Sequence, residues 1–297
     1  MANRFTEITR DDNSEDSAES APEIGVRFDR LALVVKRPTD LWGLMAESLG
    51  GRFAGSGTGQ GYGWTDLRFA NGFILEGIHP ETADGETQPA DEVIERFLEK
   101  YGVGPHHLTF LVTDLAAMLR RVSAAGIQAV AESYEDPTWH EAFLRPRDAQ
   151  GVVIQLVQTV ERPAEILDEP EGFPEIGFDH PVASLGRVVH AVHDLPAALG
   201  LFRDLLGGRV LSTGAAIDGN HWAELGWGGP GRLRLLEAAH AEIAEWVGDR
   251  PGRVRHLFFN FDEPEYVPGA HKVASGRWVV DCDEVLGTRL VLASSAR

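Results

Sequence analysis

The chain has 297 residues, 43% hydrophobic and 25% charged, which suits a well-cored globular protein of two ordinary domains better than one. Its 46 acidic against 27 basic side chains give a formal net charge of −19, and a surface that acidic repels phosphate backbones and anionic lipid, so no nucleic-acid or membrane partner is expected. No apolar run is long enough to span a bilayer, and the lone Cys282 excludes an intramolecular disulfide and a thiolate metal cluster; a cytoplasmic protein with a small-molecule partner is the expectation.

In chain order, residues 1–24 lack the apolar core of a signal peptide. Their acidic stretch Asp11 to Asp16 predicts a disordered tail. An internal repeat follows. Leu31 to Val35 reads as a strand, Pro38-Thr39-Asp40 as a helix start, and the helical pattern from Leu41 stops at Gly50-Gly51. Tyr62 to Phe69 and Gly72 to Ile78 read as strands joined by a turn at Ala70 to Gly72. The glycine run Gly55 to Gly63 lacks the Lys-Ser/Thr ending and following helix of a phosphate cradle, so a mobile hairpin or rim loop is expected there.

The second copy is a strand Leu108 to Val112, a cap at Thr113-Asp114, a helix Leu115 to Ala125, a stop at Gly126, and extended segments Glu141 to Leu144 and Val152 to Val157. A Pro-, Glu- and Gly-rich linker runs from about Glu161 to Pro174. The third copy is a strand Val188 to Val192, a cap at Asp194, Pro196 in the first turn, a helix to Leu206, and Gly207-Gly208. Extended segments Trp222 to Trp227 and Leu233 to Leu236 complete it. The fourth begins at His256 to Phe261 and ends in Leu290 to Leu292, with Pro264 and Pro268 predicted to shorten or abolish its helix. Each unit is a strand, a helix, then two or three strands, and four units group as two and two in an α+β fold.

The stretch Phe97 to Leu115, with the hairpin Glu141 to Pro146 and Gly151 to Leu156, resembles the vicinal-oxygen-chelate superfamily. That superfamily includes glyoxalase I, methylmalonyl-CoA epimerase, extradiol dioxygenases and bleomycin-resistance proteins. The likeness covers residues 27–160 well and 185–293 more weakly. It implies paired βαβββ modules forming two cupped half-barrel domains, at 25–160 and 181–297, after the tail at 1–24 and joined by a linker at 161–180.

The resemblance also implies four inward positions for a divalent metal: Arg30, Glu76, His107 and Gln155. Strand alternation puts Glu76 on one face with Ile74 and Ile78, and Gln155 with Val153 and Val157. The superfamily usually has His or Gln in place of Arg30 and Glu in place of Gln155. Arg cannot ligate, so Glu76, His107 and Gln155 are the candidate ligands for Zn, Mn, Co, Ni, Mg or Fe. The competing reading pairs Arg30 with Glu76 in place of a metal, with Gln155 and His107 completing a hydrogen-bond network.

In the second domain the equivalent positions are Arg187, Arg234, His256 and Val291, which cannot chelate a cation; their arginines either form an anion pocket or pair with nearby acids. His106 is expected at a hinge or rim, and His79 in a turn. His190 and His193 carry no assigned chemistry. Trp139, His140 and Glu141 are expected at the mouth of the first cup, with Trp139 also readable as a packing anchor.

The expected activity is of the glyoxalase or epimerase kind, an isomerase or lyase. Glu76 would move a proton beside the carbonyl of a small anionic substrate, and Arg30 or a metal would polarise that carbonyl. The alternative is a metal-free small-molecule binding (sequestration) protein. Extradiol cleavage needs two His and a carboxylate around iron, which neither domain offers at these positions. Monomer and homodimer are both compatible with two complete units per cup.

Overall fold

Every module opens with an apolar strand, because that strand ends up at the centre of a sheet with both faces covered. The computed structural model describes residues 23–59, 61–80, 93–160, 169–215 and 219–294. The predicted acidic tail, apart from its last residues, and the linker segment 161–168 lie outside them.

The first sheet comprises β1 (Val26–Val34), β2 (Arg52–Gly59), β3 (Tyr62–Arg68), β4 (Ile74–Pro80), β5 (Gly104–Val112), β6 (Val130–Asp136), β7 (Trp139–Leu144) and β8 (Val153–Thr159). Its strand order is β2-β3-β4-β1-β5-β8-β7-β6. The second comprises β9 (Ser184–Val192), β10 (Arg209–Ala215), β11 (His221–Gly226), β12 (Arg232–Glu237), β13 (Gly252–Asn260), β14 (His271–Ala274), β15 (Arg277–Cys282) and β16 (Thr288–Ala293). Its order, β10-β11-β12-β9-β13-β16-β15-β14, repeats the first. In each sheet the two module-opening strands pair antiparallel at the centre, and each runs parallel to the last strand of its own module.

Helix starts and stops follow the local sequence. Asp114 caps α3 (Leu115–Ala124) by accepting from the Ala117 amide at 2.8 Å, and Asp194 caps α4 (Leu195–Leu199) by accepting from Ala197 at 2.8 Å. Both α1 (Pro38–Trp42) and α4 continue into a π-helical turn, Gly43–Ser48 and Gly200–Leu205. Gly50, Gly126 and Gly207 then leave their helices at φ of 71°, 79° and 70°, the left-handed conformation that glycine adopts freely. The fourth module has a single 3-10 turn, Pro264–Tyr266, where the other modules have their helix, as its two prolines require.

The segments not foreseen are β2, β6, β10, β14 and β15, together with α2 (Val93–Tyr101), α5 (Ala241–Val247) and α6 (Asp283–Leu286). The glycine run expected as a mobile hairpin or rim loop is the hairpin formed by β2 and the start of β3. Most of these strands lie at or near sheet edges, and β10 is exposed along nearly its whole length, so no hydrophobic alternation marks them.

The faces of the two sheets that carry α1, α3 and α4 meet in one continuous apolar core. Phe28 of β1 lies 5.9 Å from Trp227, Phe110 lies 5.0 Å from the same ring, and Phe69 lies 5.1 Å from Phe259. Gly151, at φ 86°, rests against the backbone of Gly252, where a Cβ atom has no room. The opposite, concave faces are left for function, and each is plugged at one end by a short helix. α2 sets Ile94, Phe97 and Leu98 against Val34 and Ile78, and α5 sets Ile243 and Trp246 against Ala191 and Leu236. No helix among the described residues is long and apolar enough to cross a membrane.

Candidate active site in the first cup

A β-bulge at Asp29, between the pairs Phe28–Phe110 and Arg30–Thr109, lets Phe28 stay in the core while Arg30 turns into the cup. Asp66 and Glu76 sit opposite each other across β3 and β4, and Glu76 and His107 flank Ala32 from either side of β1. Thr109 and Gln155 are register partners across β5 and β8. Four separated stretches of chain thus bring Arg30, Asp66, Glu76, His107 and Gln155 to one face.

Arg30 is the cation of this cluster, and it is already shared. Its Nη1 donates to Oδ2 of Asp66 at 2.7 Å, its Nε donates to Oδ2 of Asp29 at 3.1 Å, and Nη1 lies 3.8 Å from Oε2 of Glu76. Its guanidinium stands 5.4 Å from the centre of the Trp139 ring. Burial opposes its charge, but Asp66, Glu76 and Asp29 outweigh that and hold it protonated.

Glu76 has no hydrogen-bond partner among the described residues, although its Oε2 is 3.8 Å from both Arg30 Nη1 and His107 Nε2. Burial, and then the charge of Asp66, push its carboxyl up to about 8, against the opposing pull of Arg30. Asp66 is also raised by burial, only partly offset by Arg30. His107 is held neutral by burial, well below the ordinary imidazole range, with His106 and Arg30 adding to the effect. Its Nε2 is buried without a hydrogen-bond partner among the described residues.

The metal reading is decided by the donors. The side-chain oxygen of Gln155 accepts from the Thr109 hydroxyl at 2.7 Å, and its amide nitrogen donates to Glu141 at 2.7 Å. Turning the amide over would set its oxygen against the Glu141 carboxylate, so the orientation is fixed. The oxygen of Gln155 is thus already shared with Thr109, and the guanidinium of Arg30, which cannot ligate, holds the fourth position. Glu76 and His107 remain, too few for a tetrahedral site. Among the described residues no three His, Cys, Asp or Glu side chains converge on one point. The residues present do not fit a divalent ion.

Other expectations divide in the same way. Trp139 faces the cup and donates from Nε1 to Glu141 at 2.9 Å. His140, expected beside it, is turned by strand alternation to the other side of β7, where its ring lies 4.9 Å from that of Tyr134. His106 is not at a rim: it packs 5.0 Å from Phe97 of α2, and its Nδ1 lies 2.9 Å from Nδ1 of His107. His190 makes a 2.7 Å contact from Nε2 to the Gln150 carbonyl, joining the two halves.

Sequence reasoning missed Asp66 and left Glu141 at the mouth, where the structure sets it on Gln155. Alternation within β3 and β7 was the available signal, but the register that brings them to Arg30 and Gln155 was not. Asp66, Glu76 and Glu141 thus lie around one shared arginine in this cup.

No family model matches the chain. A stretch of 86 residues, 28% of this chain, is 33% identical to the uncharacterised protein YqjC of Bacillus subtilis (strain 168), and spans only 56% of that protein's length. Among solved structures, the chain is similar to a mutant of 4-hydroxymandelate synthase from Streptomyces coelicolor, with a TM-score of 0.61 and 15% identity over 91% of this chain and 93% of that one. It is also similar to methylmalonyl-CoA epimerase from Mycobacterium tuberculosis, at 25% identity over 46% of this chain and 89% of that one, with a TM-score of 0.39.

Proposed function

The chain is a tandem two-domain protein of the vicinal-oxygen-chelate fold, and from that premise we propose that its first cup moves a proton at a carbon beside a carbonyl, without a metal. The observation that carries this is Glu76: a buried carboxyl, without a hydrogen-bond partner among the described residues, titrating near 8 and facing a fixed guanidinium. General bases work best when poised near the operating pH, and burial among like charges is how a carboxylate reaches that range.

In its ionised form Glu76 takes the proton from the carbon. The substrate carbonyl lies toward Arg30, whose retained charge stabilises the enolate as it forms. Glu76, now neutral, returns the proton to an adjacent atom, which gives isomerisation, or trades it with solvent before returning it to the same carbon, which gives exchange. His107, held neutral beside Glu76, orients the substrate through the ring nitrogen that has no partner. Glu141 is occupied with Trp139 and Gln155, and so positions the wall of the cup rather than reacting.

The excess of carboxyl groups selects a neutral carbonyl compound. Arg30, Glu76, Asp66 and His107 are each nearly covered by protein, so the compound is small.

The test is incorporation of deuterium from solvent into the α-position of small neutral aldehydes and ketones, followed by NMR with wild type and Glu76→Gln. Exchange by the wild type alone supports proton transfer at Glu76. Equal exchange by both rejects Glu76 as the base, and binding with no exchange rejects proton transfer in favour of sequestration.

A further inference from the structure

The second cup repeats the first with its charge reversed. Arg187, on β9, matches Arg30, and the same bulge precedes it, here at Gly186. Glu224 and Arg234 are paired across β11 and β12 as Asp66 and Glu76 are across β3 and β4. Arg277, paired with Ala293 across β15 and β16, matches Glu141, paired with Val157 across β7 and β8. At two corresponding positions, then, a carboxylate of the first cup is replaced by a guanidinium in the second.

The arginines are not cancelled by nearby acids. Nη1 of Arg187 donates to Oε2 of Glu224 at 2.7 Å, and Nη2 and Nε of Arg234 donate to the same oxygen at 2.7 and 3.0 Å. One carboxylate oxygen therefore serves two guanidinium groups. Each guanidinium is also held over an aromatic ring, Arg187 at 4.1 Å from the Phe258 centre and Arg234 at 4.0 Å from Trp222, which fixes the direction of its remaining N–H groups.

Arg277 is exposed and has no hydrogen bond or ion pair among the described residues. Arg289, four positions from Ala293 along β16, is taken by Asp281 at 2.6 Å. Burial, and then the charge of Arg187, lower Arg234 against the pull of Glu224, with the charge of Arg277 adding a smaller push in the same direction. On a chain of net charge −19, this is a local excess of positive charge built on rigid strands, with Arg187 and Arg234 still partly open to solvent.

We propose that the second cup is a binding site for a small dianionic oxyanion, a phosphate or a dicarboxylate, received by Arg187, Arg234 and Arg277 with Glu224 as the acid that holds the first two in place. Planar guanidinium groups match such oxygens in pairs. A dianion fits because three guanidinium groups face one carboxylate. The proposal is independent of the reaction in the first cup.

The experiment is isothermal titration calorimetry of the full chain with inorganic phosphate and with malonate, in a buffer free of other oxyanions. The expected result is one site per chain for at least one of the two probes. Arg277→Gln, which breaks no contact among the described residues, should weaken it about tenfold, the usual effect of losing one charged hydrogen bond. Glu224→Gln, which removes the competing acid, should tighten it, and Glu141→Gln in the first cup should leave it unchanged. Failure of both probes to bind wild type, or binding unaltered in both Arg277→Gln and Glu224→Gln, overturns the proposal.

Discussion

Glu76 and Arg234 occupy the same register position in the two halves of one chain, each facing an acid across a β-hairpin, Asp66 in the first half and Glu224 in the second. One half has gathered carboxyl groups around an arginine; the other has gathered arginines around a carboxylate. The backbone is shared, so the difference in chemistry comes from a few side chains on matched strands.

The pH dependence of the first cup follows from Glu76. Proton abstraction needs its ionised form, so exchange activity should rise with pH and level off above about 8. A rate profile from pH 5 to 10 checks this. A plateau already reached at pH 6 would assign the base to another group.

Stability should show the opposite slope. Glu76 binds its proton more tightly in the folded chain than in the unfolded one, so its contribution to stability is full below the ordinary carboxylate range and is lost as pH rises through about 8. Glu76→Gln removes that loss. Urea denaturation of both proteins at pH 6 and pH 9 should find the variant's advantage larger at pH 9. An advantage equal at both pH values would mean that Glu76 is already ionised at pH 6 in the folded chain.

Arg30→Gln leaves Asp29, Asp66 and Glu76 without their shared cation and should cost about 3–5 kcal/mol, as breaking a buried charge cluster does. Arg30→Lys keeps the charge but not the fork that serves Asp29 and Asp66 together, so it should fall between wild type and Arg30→Gln in denaturant unfolding.

The metal argument has a constructive test. Combining Arg30→His with Gln155→Glu removes the cation and adds two ligating groups beside Glu76 and His107. Equilibrium dialysis against zinc should give near one equivalent for the double variant and far less for wild type. One equivalent on wild type, lost in His107→Ala, would show that Gln155 and Arg30 rearrange to admit an ion.

Gly151→Ala should lower the melting temperature more than Gly126→Ala. Both sit at positive φ, but only Gly151 meets another backbone, that of Gly252, while Gly126 faces open space. Because the two sheets share one core, the whole chain should melt in a single calorimetric transition.

The sequence by itself determined the modules. Leu31 to Val35 and Leu108 to Val112 are apolar enough to mark central strands, Asp114 and Asp194 cap their helices through contacts three residues away, and Gly50, Gly126 and Gly207 end theirs by local conformation. Alternation also placed Glu76 and Gln155 on one side of their strands, and the family resemblance added Arg30 and His107. These signals are short-range, so they survive in the linear chain. What only the tertiary structure decided was which partner each polar group meets. Asp66 claims Arg30 from β3, Thr109 and Glu141 fix Gln155 from two other strands, and the charge of Arg277 reaches Arg234 on a distant hairpin. Those pairings depend on sheet register and on burial shared between segments far apart in sequence. Together they raise the carboxyl of Glu76 and tie Gln155 to Thr109 and Glu141, and they give the two cups different charge patterns.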